Sequence, residues 1–337
     1  MTDTTGPSRF DIDIRADGVT GRVRAMACDV TARIPGAAGA GTVDAVTDAL
    51  GVFVEVEQAC TRFDPASPLM LANAHGLGWA PVPGVCFDAL TEAYRAHLST
   101  DGAFDPRVLT DLVTMGYDSS LRFGGDAVSA PEPGDGGDLG PGPIPGGTGR
   151  VGRWQPRFRP SDRSVQVGPR PVDLGGIGKG LAVRWAAERL SAAGADLLVD
   201  AGGDCWCGGR ALGGEPWLVG VEDPGGGEVP LAVLGLSDRA CATSSVRVRR
   251  WRTAGREVHH LVDPSTGRPG GEGLAAVTVV GPDPAEAEVW AKALFLAGTS
   301  GIAGRAEAGG LAALWVDADG RVGATPAMER WIVWRSW

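Results

Sequence analysis

Apolar residues fall at helical spacing from Thr42 to Phe63, where Val43, Val46, Leu50, Phe53 and Val54 line one side; Pro65 stops the helix this predicts. Before it, Arg22 to Ile34 reads as a strand with Val23, Val30 and Ile34 among small residues. Phe87 to Leu98 predicts a second helix, and Pro106, a residue suited to a first helical turn, opens a short third one. After Arg150 the pattern shortens into strand-like runs at Ser164–Val167, Leu197–Asp200, Trp217–Val221, Leu231–Leu236, Ala240–Thr243, Val258–Val262 and Ala275–Val280. Two helices, Ile177–Ala193 and Pro284–Ala297, interrupt them, and Leu311–Val316 and Trp331–Trp334 close the chain. Strands outnumber crossover helices, which predicts an α+β fold of mixed sheets with flanking helices rather than a doubly wound sheet. Phe123 to Gly149 is dominated by Gly, Pro and Asp, too polar to bury itself, and predicts a mobile insertion within one domain spanning residues 1–337.

Charge narrows the partners. Lys and Arg number 31 against 41 Asp and Glu, a net charge of -10, which argues against a nucleic-acid binder. No apolar run reaches the ~18 residues of a membrane span. Met1 to Phe10 has neither a basic nor an apolar segment of signal-peptide type, so a cytoplasmic location is expected. Arg is used almost to the exclusion of Lys: the chain's two lysines are Lys179 and Lys292. A lysine that survives such a bias points to a site needing a compact ammonium. Six cysteines fit no common zinc spacing; Cys205 and Cys207 share one face of a strand, where thiols usually serve as small buried apolar groups.

Four stretches could carry chemistry. In Val172-Asp173-Leu174-Gly175-Gly176-Ile177-Gly178-Lys179-Gly180 a Gly-rich turn runs into a helix with a Lys in its first turn, an arrangement that suits an anion. It is not a Walker A loop, because Asp173 and Gly180 stand where that motif needs Gly and Ser or Thr. Asp200-Ala201-Gly202-Gly203-Asp204 is a second Gly turn, between strands. His259-His260 precede Asp263-Pro264, so one imidazole could act as a general base; in a strand the two point to opposite faces. Glu288 and Lys292 stand one helical turn apart in an otherwise apolar stretch, Trp290 to Phe295.

Taken in order, these elements resemble the FAD:protein FMN transferase family, also called the ApbE type. The resemblance runs from about Met26 to Gly298. It rests on Thr61-Arg62-Phe63-Asp64-Pro65-Ala66-Ser67, Gly102-Ala103-Phe104-Asp105-Pro106, the Asp173 to Gly180 turn, Ala201-Gly202-Gly203-Asp204, Ala242-Thr243-Ser244, and His260 to Pro269. It implies an FAD cleft and transfer of FMN to a Thr or Ser hydroxyl, with loss of AMP and a requirement for Mg²⁺. The acceptor would be a flavoprotein with an Asp-x-(Ser/Thr)-(Gly/Ser)-Ala-Thr segment. FAD hydrolysis to FMN and AMP, or flavin binding without catalysis, are the alternatives.

By the same resemblance, His260 would be the general base, with Asp263 orienting it or its turn. Met26, Phe63, Asp105, Gly175, Gly176, Lys179, Gly203, Asp204, Thr243, Ser244 and Lys292 would bind FAD. The Gly178 carbonyl and Glu288 would hold the metal. The chain departs from the family pattern where a metal-binding Asp and Thr would stand: Glu288 and Lys292 occupy those places. The charge of Lys292 is expected to replace part of the metal's.

Overall fold

The structure is a computed structural model that describes residues 9–36, 39–119, 128–129, 152–253 and 256–337. Nine strands form one sheet in the order Asp11–Arg15, Gly18–Ala25, Cys28–Pro35, Leu197–Ala201, Asp204–Gly208, Arg239–Ser245, Leu274–Gly281, Ala312–Asp317 and Val322–Ala324. Every neighbouring pair in it is antiparallel. A parallel pairing joins Val128–Ser129 to Arg250–Thr253, in a small sheet that also holds Arg256–His259. The rest of the expected mobile insertion lies outside the described residues.

The helices are α1 (Ala40–Cys60), α2 (Pro68–His75), α3 (Gly84–Ser99), α4 (Leu109–Thr114), α5 (Gly178–Leu190), α6 (Pro284–Phe295), α7 (Gly298–Ala308) and α8 (Pro326–Glu329) among the described residues. Alternation along the strands assigns the two faces of the sheet. Val30, Ala32, Val199 and Ala201 pack under α1 and α5, while Ala240, Ala242, Val277 and Val279 pack under α6 and α7. The opposite face of the later strands, with Cys205, Cys207, Cys241 and Val280, meets a three-stranded sheet of Trp217–Val221, Ala232–Leu236 and Ile332–Arg335. All six thiols are free, and the Cys205–Cys207 pair is core lining beside Cys241. No helix among the described residues is long and apolar enough to cross a membrane.

Several boundaries differ from the sequence expectation. Arg22 to Ile34 is not one strand but the hairpin Gly18–Ala25 and Cys28–Pro35. Its turn is Met26-Ala27, two non-glycine residues with φ of 53° and 59°. Such residues lack the Gly or Asn signature of a tight turn, so the chain reads as continuous. Pro106 precedes the third helix rather than opening it, since α4 begins at Leu109. Val258–Val262 breaks at His260, between Arg256–His259 and Val262–Asp263.

The α5 helix stands close to α6 because position 180 is glycine. A Cβ there would lie 2.6 Å from the Pro284 carbonyl oxygen and 2.7 Å from the Ala285 Cα. This approach sets the first turn of α5 beside Glu288 and Lys292.

Candidate active site

A cavity of about 420 Å³ opens at one end of the large sheet. Its walls come from the Met26-Ala27 turn, the end of α1, the Asp173–Lys179 turn, α6, and the segment Arg249 to Val262. Of the residues expected to bind FAD, Met26, Phe63, Asp105, Gly175, Gly176, Lys179 and Lys292 line it, as do His260 and Gly178. Gly203, Asp204, Thr243, Ser244, Asp263 and Glu288 do not belong to the lining.

Those six have other placements. Gly202 and Gly203, with φ of 64° and 93°, form the two-residue turn before Asp204–Gly208, a conformation suited to glycine. Asp204 and Glu288 stand behind the wall and anchor it. The Lys179 ammonium donates to Asp204 Oδ2, while Thr243 N donates to Asp204 Oδ1 at 3.1 Å. Lys292 Nζ donates to Glu288 Oε1 at 3.0 Å, and Lys179 Nζ is 3.9 Å from the same oxygen. The Gly180 amide donates to Glu288 Oε2 at 2.7 Å. Ser244 is buried, with no hydrogen-bond partner for its hydroxyl among the described residues. Asp263 holds its own turn, accepting from Ser265 N at 2.8 Å and Ser265 Oγ at 2.7 Å.

Glu288 is thus gripped by two ammoniums and a backbone amide. Two unit charges 4 Å apart interact by about 4 kcal/mol at an effective dielectric of ~20, and a divalent ion doubles that repulsion. Among the described residues no group of three or more His, Cys, Asp or Glu could hold a metal. Glu288, the carboxylate expected to hold the metal with the Gly178 carbonyl, is already engaged on both oxygens.

The two histidines separate as alternation requires. His259 packs edge-on to Phe295, with ring centroids 6.0 Å apart, and its Nδ1 accepts from Leu261 N at 3.3 Å. Burial lowers its pKa to about 4. His260 faces the cavity, with Nδ1 3.3 Å from the Arg249 carbonyl oxygen. A carbonyl can only accept, so Nδ1 carries the proton and Nε2 keeps a lone pair. Burial, then the charges of Arg249 and Lys292, hold the His260 pKa well below the usual imidazole value.

Sequence reasoning missed Arg249, which lines the cavity and has no ion-pair partner among the described residues. Arg62 and Asp173, both inside the motif runs, form a pair that spacing alone does not reveal. Arg62 Nε lies 3.0 Å from Asp173 Oδ2, and its guanidinium stands 4.2 Å from the ring centroids of both Phe63 and Tyr117. Asp173 Oδ1 accepts from Gly175 N at 2.7 Å and so shapes the Gly-rich turn. Asp105 reaches the cavity with its carboxylate already held by Arg107, 2.9 Å from Nε and 2.6 Å from a terminal nitrogen. Met26, strained at φ 53°, is fixed by its amide donating to Glu57 Oε1 at 2.7 Å.

Comparison with known proteins places this arrangement. The model of the ApbE family matches residues 26–315. An FAD:protein FMN transferase of Salmonella typhimurium is 30% identical over 241 residues, covering 69% of this chain and 65% of that protein. One from Haemophilus influenzae is 33% identical over 130 residues, 38% of each chain. The chain thus spans less than two thirds of the length of these curated relatives. The crystal structure of the ApbE protein from Thermotoga maritima superposes with a TM-score of 0.78 at 24% identity, covering 93% of this chain and 99% of that one. The apo flavinyl transferase ApbE of Pseudomonas stutzeri gives 0.73 at 20% identity, covering 95% and 99%.

Proposed function

The chain belongs to the ApbE family, and from that membership and its cavity we propose that it transfers FMN from FAD to a Thr or Ser hydroxyl of an acceptor flavoprotein. The observation that carries the reading is one wall shared by an uncharged imidazole, His260, and the cations Lys179, Lys292 and Arg249. A diphosphate needs positive charge around it, and an attacking hydroxyl needs a base.

In this reading the isoalloxazine ring lies against the apolar lining that includes Met26, Phe63 and Tyr117. The diphosphate meets the Gly175-Gly176 turn, Lys179 and Lys292. Asp204, Thr243 and Glu288 act behind them by fixing the two lysines. The acceptor oxygen attacks the FMN phosphorus, the bond to the AMP phosphate breaks, and the hydroxyl proton passes to Nε2 of His260. AMP leaves with the electron pair of the broken bond. The diphosphate's negative charge raises the basicity of His260, countering the cations that depress it in the free protein. The acceptor carries an Asp-x-(Ser/Thr)-(Gly/Ser)-Ala-Thr segment.

The test is incubation with FAD and a flavoprotein domain bearing that segment, followed by in-gel flavin fluorescence and assay of AMP. Fluorescent acceptor with stoichiometric AMP is the expected result. AMP and free FMN without labelled acceptor would instead make the chain an FAD hydrolase, and FAD binding without AMP a flavin carrier.

A further inference from the structure

We infer that this chain neutralises the FAD diphosphate with fixed side-chain cations and binds FAD without a divalent metal. The inference deepens the proposed function and rests on it for the identity of the ligand. It starts from the place where the chain departs from its family. The carboxylate expected to hold a metal is Glu288, and both of its oxygens are already taken, by Lys292 and by the Gly180 amide.

Lys292 is not a surface lysine that folded back onto the nearest carboxylate. Its side chain is 15% exposed, and Glu288 is 1% exposed. Its stem runs over Gly176: a Cβ on that glycine would lie 3.5 Å from Lys292 Cδ and 3.6 Å from Cε. The Gly-rich turn therefore leaves the space in which Lys292 reaches the cavity wall. Lys179 arrives from the other side, 15% exposed, held by Asp204 and 3.9 Å from Glu288. Arg249 lines the same cavity, and its charge is felt by both Lys179 and His260. Three cations on the cavity wall thus stand in front of two carboxylates, Asp204 and Glu288, that do not belong to the lining. A metal bound at Glu288 would have to displace Lys292 from its buried partner. A tethered ammonium needs no metal in solution and stays in place when the ligand leaves. A chain that keeps two lysines among 31 basic residues has placed both of them here.

The experiment titrates FAD into the full-length protein, followed by quenching of flavin fluorescence, in EDTA and again in millimolar Mg²⁺. Wild type should give dissociation constants within about twofold of each other. Manganese added to the protein–FAD mixture should keep the electron paramagnetic resonance amplitude of free Mn²⁺. Lys292→Thr should bind FAD roughly tenfold or more weakly in EDTA, the scale of one lost charged hydrogen bond. Lys292→Arg, which keeps the charge, should remain insensitive to EDTA. FAD binding by wild type that requires Mg²⁺, or Mn²⁺ signal lost in proportion to bound FAD, overturns the inference and leaves the proposed function standing. Absence of FAD binding under both conditions overturns the proposed function, and the inference falls with it. The wild-type titrations decide the matter even if Lys292→Thr does not fold.

Discussion

Lys179 and Asp204 form a buried ion pair that ties the first turn of α5 to the start of a strand 25 residues later. Burial alone would raise the Asp204 pKa and lower that of Lys179; the charges of Asp204 and Glu288 overcome burial at Lys179 and raise its pKa, while at Asp204 burial still wins and the carboxyl stays above its ordinary value. The lysine expected at the diphosphate is thus also a clamp on the sheet.

Removing one partner of such a pair leaves a buried, uncompensated charge, at a cost of about 3–5 kcal/mol. Lys179→Ala should therefore lower the urea midpoint, and adding Asp204→Asn should recover much of the loss, because the amide oxygen can still accept from Thr243 N. Where Lys179→Ala folds, it should weaken FAD more than riboflavin, which has no phosphate. An unchanged urea midpoint would remove Lys179 from any part in holding the fold. Equal loss for both flavins would remove it from the diphosphate.

His260→Ala should lower transfer by roughly 10²–10⁴-fold, the usual range for a lost general base, with FAD binding nearly intact. His259 faces Phe295, away from the cavity, so His259→Gln should transfer at close to the wild-type rate. The proximity of Arg249 and Lys292 adds a pH signature. The acid limb of kcat/KM, set by the free protein, should lie below the ordinary imidazole range. The acid limb of kcat should lie higher, because the bound diphosphate favours protonation of His260. Coincident limbs would show that substrate charge does not reach the imidazole.

Burial also makes the histidines a liability in acid. His259 has a folded pKa of about 4. Below its unfolded value of ~6.5 the unfolded chain takes up the proton first. Stability from this group is complete above pH ~6.5 and is lost as the pH falls toward 4. The urea midpoint should drop between pH 7 and pH 5, and less steeply in His259→Gln. A profile equally steep in both proteins would assign the acid loss to other groups.

Gly180→Ala would drive a methyl into the backbone at Pro284 and Ala285. Overpacking of this kind usually costs about 1–3 kcal/mol, and neither neighbour can rotate away. Thermal unfolding should show that loss, together with weaker FAD binding as Glu288 and Lys292 shift. Wild-type melting would mean that α5 and α6 slide apart freely.

Much of this frame was legible in the chain. The α1 helix and the runs around Leu197 and Trp217 carry their spacing openly, since each buries one face; Leu274–Gly281, buried on both faces, shows as a near-continuous apolar run. Helix α7 was hidden by Gly298, Gly301 and Gly304, which weaken helical propensity, although Ile302 and Ala306 hold it to the core. Helix α2, capped by Ser67 and opened by Pro68, is too short at eight residues to display a helical period. Seven of the eleven residues expected to bind FAD line one cavity, with His260 and Gly178. What spacing could not give was the division of labour. Arg249 reached the cavity without any motif, and Asp105 came already held by Arg107. Asp204 and Glu288 proved to hold lysines. Each outcome depends on contacts across the sheet, which no local pattern encodes.

The order of the large sheet has a consequence for how the cleft comes into being. Its first three strands and the pair Leu197–Ala201 and Asp204–Gly208 are hairpins of neighbours in sequence, able to form early and alone. Joining them means pairing Val30 with Ala201, across more than half the chain, and that closure is a slow, late event. Met26, part of the cleft lining, sits at the turn of one hairpin, and Asp204, which anchors the lining residue Lys179, follows the turn of the other at the same end of the sheet. The cleft wall therefore exists only after the two halves meet. During refolding, the ability to capture flavin should emerge with the last kinetic phase and lag behind the recovery of secondary structure.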